Sequence, residues 1–226
     1  MTGRAKATTV GDSKAHRLDA TPFRAYPEFA ADEFAVNVIA PGRLFVALTP
    51  PSNALPALAA ATAPILRACA GAARGVDPHA MHVTLRFLGD TEPRRVPALS
   101  AALRAAAAGS TRLALRISGA GTFPSLARPQ VLWLGIAPDR ELDKLFDRAD
   151  AACDGAGFGR DRRRHHPHVT IARIRRGARP DTAALRTALR AIELPAPFVV
   201  ETLDLIASTL TRTGAQHRVL ERFPLG

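Results

Sequence analysis

Apolar and polar positions along this chain fall into strand-like runs and helix-like stripes that occur twice in the same order. The run Arg43 to Leu48 is apolar and β-favouring, and Pro50-Pro51 ends it. An Ala/Leu-rich stretch from about Ser52 to Ala73 predicts a helix, and Met81 to Leu88 predicts a second strand. A helix over Arg94 to Ala107 and a strand over Arg112 to Ser118 complete the unit. The second unit repeats the plan. Strand Val131 to Ile136 precedes helix Arg140 to Asp154, with Leu142, Leu145, Phe146 and Ala149 on one face. Strand His168 to Arg173, helix Asp181 to Ala191 and strand Phe198 to Ile206 follow. The offsets are nearly constant: 87 positions from Leu44 to Val131, 86 from His82 to His168, and 87 from Arg94 to Asp181.

Two tandem β-α-β-α-β units, about 43–120 and 130–210, predict an α+β protein with two lobes related by a pseudo-twofold axis. Two antiparallel sheets would face a central cleft with helices outside, all within one bilobal domain over 43–226. A last strand, Arg218 to Arg222, is expected to close the second sheet. Residues 1–42 lie outside the repeat and read as a loosely ordered N-terminal extension with one strand candidate, Phe34 to Ile39.

At 226 residues and 24.0 kDa, with 47% hydrophobic and 23% charged residues, the chain is long and apolar enough to bury a core, which excludes disordered and rod-like classes. No uninterrupted apolar run approaches the roughly 18–20 residues of a membrane helix. The first sixteen residues carry positive charge but no apolar segment of the kind that marks a secretory signal. A monomer without membrane contact is expected. Cys69 and Cys153 form no CxxC pair and too few sites for a disulfide framework, so a reducing cytoplasm is expected as well. They precede their motifs at matching repeat positions, which places them in helices of opposite lobes.

The formal charge of +11 is localised. Arg160 to Arg179 holds eight arginines and one acid, Asp161. Such a stretch either attracts an anionic polymer such as RNA or forms a solvated basic loop, with Arg160, Arg162, Arg163 and Arg164 as its candidate rim.

The residues that repeat most faithfully are polar. Alternate side chains of a strand share a face, so His82 and Thr84 point away from Val83 and Leu85, and His168 and Thr170 do the same opposite Val169 and Ile171. A pseudo-twofold axis would bring two imidazoles and two hydroxyls to one centre. Opening a cyclic phosphodiester with water requires a group that takes a proton from water and another that protonates the departing oxygen. Histidine, with an ordinary pKa of about 6.5, suits both tasks near neutral pH, and threonine hydroxyls can donate to phosphate oxygens. This chemistry needs neither metal nor cofactor. His165, His166 and His168 form a competing zinc candidate, but Pro167 interrupts their strand and no acid or cysteine accompanies them. Phe123, in a Gly-rich turn, can stack on a base or pack in the core. Trp133 and Phe146 are assigned to the core.

These motifs resemble those of the bacterial and archaeal RNA 2',3'-cyclic phosphodiesterases, formerly called 2'-5' RNA ligases, within the two-histidine phosphoesterase superfamily. The resemblance covers about residues 43–225. It rests on RLFVAL, MHVTLRFLGD, GAGTFP with RPQVLWLGI, HPHVTIAR, and the closing LxxSxL and VLERFPL. It implies His82 as proton donor to the leaving 3' oxygen, His168 as proton acceptor for water, and a 2'-phosphate product. Thr84, Thr170 and Arg173 would bind the phosphate, Arg173 as a bidentate clamp. The implied partner is RNA ending in a 2',3'-cyclic phosphate, tRNA fragments included. Reversible 2'-5' ligation through the same pair and a noncatalytic RNA-binding module are the alternatives. Two departures stand out: His217 occupies a position where many relatives have tyrosine, and the aromatic that often precedes the first motif is absent from Arg74-Gly-Val-Asp-Pro.

Overall fold

The computed structural model describes residues 42–162, 165–211 and 214–226. The N-terminal extension and its strand candidate at Phe34 to Ile39, together with Arg163 and Arg164, lie outside the described residues. The elements run β1 (Gly42–Leu48), α1 (Leu55–Ala68), β2 (Ala73–Gly75), β3 (Val83–Thr91), α2 (Val96–Ala108), β4 (Leu113–Leu115), β5 (Ile117–Ser125), β6 (Arg128–Ile136), α3 (Arg140–Cys153), β7 (His168–Ile174), α4 (Thr182–Arg190), β8 (Phe198–Val200), β9 (Thr202–Thr211) and β10 (Gly214–Pro224).

All strand pairings are antiparallel. The main path is β10-β9-β1-β3-β7-β6-β5, with β2 beside β7, while β4 and β8 form a separate two-stranded ladder. The two halves of the path meet at one residue pair, Val83 with Val169. The predicted two-lobed α+β architecture is therefore present, with a different distribution of the repeats. β10 and β9 join β1 and β3, so the closing strand belongs to the first lobe and not to the second sheet. Correspondingly, β5 leaves the first repeat to pair with β6 of the second. Helices exchange too: α2 and α3 pack together behind β9, β10 and β3, and α1 and α4 pack together near β2 and β5. Each lobe thus draws on both repeats.

Local sequence explains these elements. Asp139 caps α3 by accepting from the backbone N–H groups of Glu141 and Leu142, both at 2.9 Å. Its buried stripe of Leu142, Leu145, Ala149 and Cys153 recurs at helical spacing and faces the core. Asp181 caps α4 in the same way. Leu44, Val46, Leu48, Val83, Leu85, Leu132, Leu134, Val169 and Ile171 carry the sheet's share of that core. Cys69 at the end of α1 and Cys153 at the end of α3 are both buried and unpaired, in opposite lobes as expected. Among the described residues no helix is long and apolar enough to cross a membrane.

Among the described residues no helix packs on the other face of the sheet. Phe45, Ala47 and Ile206 form a small cluster there, separate from the main core, with Val219 against it.

Candidate active site

The Val83–Val169 pair determines the site. In an antiparallel pairing, the residues one step out lie opposite each other on the other face, which sets His82 near Thr170 and Thr84 near His168. Both valines are fully buried under the helices, so the four polar side chains occupy the helix-free face. Neither threonine hydroxyl has a protein hydrogen-bond partner among the described residues, leaving both available to a ligand.

The histidines are held alike. His82 Nδ1 donates to the carbonyl of Ala80 at 2.8 Å, and His168 Nδ1 donates to the carbonyl of His166 at 2.7 Å. A carbonyl oxygen only accepts, so each Nδ1 retains its hydrogen and Nε2 is the nitrogen left to exchange protons. His82 lies against Phe45 and His217, with ring centroids 4.8 and 5.0 Å away. His168 has Phe123 at 5.1 Å and Trp133 at 6.3 Å. Burial pushes His82 down to about 4, and the neighbouring His217, His168 and Arg173 charges add to that, against the Ala80 carbonyl bond. Burial likewise lowers His168, aided by His166 and Arg173 and opposed by its own carbonyl bond.

Arg173 reaches this face through a β-bulge. Strict alternation from Val169 and Ile171 would bury it, but β7 carries an extra residue opposite β6: Leu132 pairs with Ala172 and Trp133 with Thr170. Ile171 and Ala172 are therefore both buried and Arg173 is exposed. Its charge acts on His82, His168 and His217. The matching bulge occurs in β3, where Val46 pairs with Arg86 and Ala47 with Thr84. There it buries Arg86 and turns out Phe87, which is 59% exposed and 6.1 Å from the Phe45 ring. The two lobes thus present Arg173 and Phe87 at equivalent places.

Several expectations change. Phe123 belongs to β5, paired with Val131, and not to a turn; its ring stands beside His168, Trp133 and His166. Trp133 leaves the core for the helix-free face. A Cβ on Gly121 would collide with its ring, so glycine is what makes room for the indole there. Parity gave the signal, because Trp133 shares a face with Gly135 while Leu132 and Leu134 are fully buried. Phe146, by contrast, packs against the core as expected. Arg160 is not a free rim cation, since it pairs with Asp154 at 3.0 Å and Asp150 at 3.5 Å. Arg162 is exposed.

The three histidines of the zinc candidate do not converge, although the His166 and His168 ring centroids lie 6.2 Å apart. His165 stacks on Phe146 at 3.9 Å, and His166 lies against Trp133 at 5.0 Å. Among the described residues no three His, Cys, Asp or Glu side chains are grouped to share a metal ion. Arg86 was not anticipated. It pairs with Asp161 at 3.0 Å and Asp150 at 3.5 Å and donates to the Gly159 carbonyl at 2.7 Å, tying the first motif strand to the loop that leads into His168.

Comparison with known proteins identifies the family. An RNA 2',3'-cyclic phosphodiesterase of Geobacillus stearothermophilus is 35% identical over 148 residues, 64% of this chain but 45% of that protein, so the match spans less than half of that relative. The Aeropyrum pernix RNA 2',3'-cyclic phosphodiesterase is 33% identical over 149 residues, 64% of this chain and 82% of the relative. The crystal structure of a Thermus thermophilus protein superposes with a TM-score of 0.67 at 26% identity, covering 81% of this chain and 97% of that one. Residues 50–212, which contain both histidine motifs and the bulge that presents Arg173, match the family model of the 2'-5' RNA ligase superfamily, and the chain belongs to that superfamily.

Proposed function

We propose that this protein hydrolyses RNA 2',3'-cyclic phosphate ends to 2'-phosphate ends by metal-independent acid–base catalysis. The observation that carries the reading is the matched pair of imidazoles, each with Nδ1 tied to a carbonyl two residues earlier and Nε2 left free. His168 Nε2 takes a proton from water as its oxygen bonds to phosphorus. The P–O3' bond breaks, and His82 Nε2–H gives its proton to the departing 3' oxygen. Thr84 and Thr170 donate to the nonbridging oxygens, and Arg173 offsets their charge. Phe123 offers a ring to a base beside His168, and the exposed Arg162 adds to the field that draws RNA. The relatives named as RNA 2',3'-cyclic phosphodiesterases support this choice of substrate.

The test is incubation with an oligonucleotide ending in 2',3'-cyclic phosphate and identification of the product. A 2'-phosphate end is expected, with the rate unchanged by EDTA. His82→Ala and His168→Ala should each lower kcat by roughly 10² to 10⁴. A 3'-phosphate product, or near-normal turnover by either variant, overturns the mechanism. Adding an acceptor with a free 5'-hydroxyl tests the reverse step, which would appear as a 2'-5' linked product.

A further inference from the structure

We propose that the groove beside Arg173 is a second phosphate site, which binds the phosphodiester joining the 3'-terminal nucleotide to the one before it. This rests on the cyclic-phosphate reading above and extends it from the reacting group to the RNA body. β2 pairs with β7 so that Arg74 stands directly opposite Arg173. Like charges at such a position are destabilising, and neither arginine has an acidic partner among the described residues. Phosphate charge held beside Arg173 reduces that repulsion.

The positive line continues along the chain. Arg175 lies two residues past Arg173, about 7 Å on at the usual strand rise. Its backbone N–H donates to Ala72 O at 2.8 Å and its Nε to Gly71 O at 3.1 Å. The guanidinium is therefore oriented by the protein, with both terminal nitrogens left for a ligand. Arg176 follows in the turn that Gly177 closes with a φ of 78°. Arg173, Arg175 and Arg176 together line an open pocket of about 450 Å³, whose wall includes Gln130 and, among the described residues, no acid. The pocket starts at the residue whose charge acts on both catalytic histidines. In this proposal a phosphate bound there is one nucleotide step from the reacting one.

The experiment compares kcat/KM for a dinucleotide ending in 2',3'-cyclic phosphate with that for a mononucleoside 2',3'-cyclic phosphate. A third substrate is the same dinucleotide with a neutral methylphosphonate linkage. The wild-type protein should prefer the charged dinucleotide over the mononucleoside about tenfold or more, and should lose most of that preference with the methylphosphonate. In the double variant Arg175→Ala, Arg176→Ala the dinucleotide-to-mononucleoside ratio should fall toward one, and lysine at both positions should restore part of it. Because the ratio is taken within one preparation, partial misfolding cancels. An unchanged ratio in the double variant, or equal rates for charged and neutral linkages, overturns the proposal. Calorimetric binding of the 2'-phosphorylated dinucleotide and its methylphosphonate counterpart makes the same comparison without turnover. A charged-linkage preference there, with no hydrolysis of any substrate, would retain the groove and reject the reaction.

Discussion

At the residue scale, the proposed proton chemistry depends on two imidazoles that are both lowered from their ordinary value. Burial and nearby positive charge lower His82 to about 4 and move His168 below its ordinary value. The proposed mechanism needs one of them protonated and the other neutral. In the free protein the singly protonated pair is most populated on the acid side, between about pH 4 and 6.5, with the proton chiefly on His168. The productive arrangement, His82 protonated and His168 neutral, is its minor tautomer and follows the same pH dependence. A bound phosphate changes the balance, because its negative charge counters Arg173 and favours the imidazolium, raising both histidines. The profile of kcat/KM, which reports the free protein, should therefore peak below about pH 6, and that of kcat should peak at higher pH. Steady-state rates from pH 4 to 9 measure both. A kcat/KM maximum above pH 7 would show that the free histidines are not depressed as the structure places them.

At the scale of elements, paired bulges and one buried arginine join the two motifs. Strand and helix positions in the core were legible because periodicity records burial directly: the stripe of α3 and the alternating pairs Val83/Leu85 and Val169/Ile171 all face the helices. The bulges were not legible, since an extra residue in a ladder depends on the partner strand, and without it the placement of Arg173, Arg86 and Phe87 could not be read. β5 was missed because Gly119, Gly121 and Pro124 weaken its strand signal, and β2 because it has only three residues. Arg86 offers the clearest test. Its side chain and that of Asp150 are each 8% exposed, so removing Arg86 leaves the buried Asp150 with only the more exposed Arg160 and the Asp161 N–H to offset its charge. Arg86→Met should cost about 3–5 kcal/mol in urea unfolding. It should also lower kcat, because the Gly159 and Asp161 contacts that hold the approach to His168 are lost. Wild-type stability in this variant would remove the network from the account of the site.

At the scale of the whole molecule, strand and helix exchange between the repeats makes one cooperative body whose site lies at the seam, so loss of stability and loss of the site should coincide. The same depressed histidines then govern stability in acid. His82, His165, His168 and His217 all lie below their ordinary value, each chiefly through burial. Between the folded and unfolded pKa values the unfolded chain binds more protons, so stability falls as pH drops from about 6.5 toward 4. His82 alone contributes on the order of 3 kcal/mol to that fall. A formal charge of +11 acts in the same direction once carboxylates begin to protonate. Urea unfolding at pH 7.5, 6.0, 5.0 and 4.5 should show this loss in the wild type, and His82→Gln should lose about 3 kcal/mol less across the same range. Added phosphate should flatten the wild-type curve, since an anion that raises the histidines in the folded state narrows the difference in bound protons. Parallel curves for the wild type and His82→Gln would mean that His82 titrates normally in the folded protein, and the acid-shifted kcat/KM profile would then fail with it.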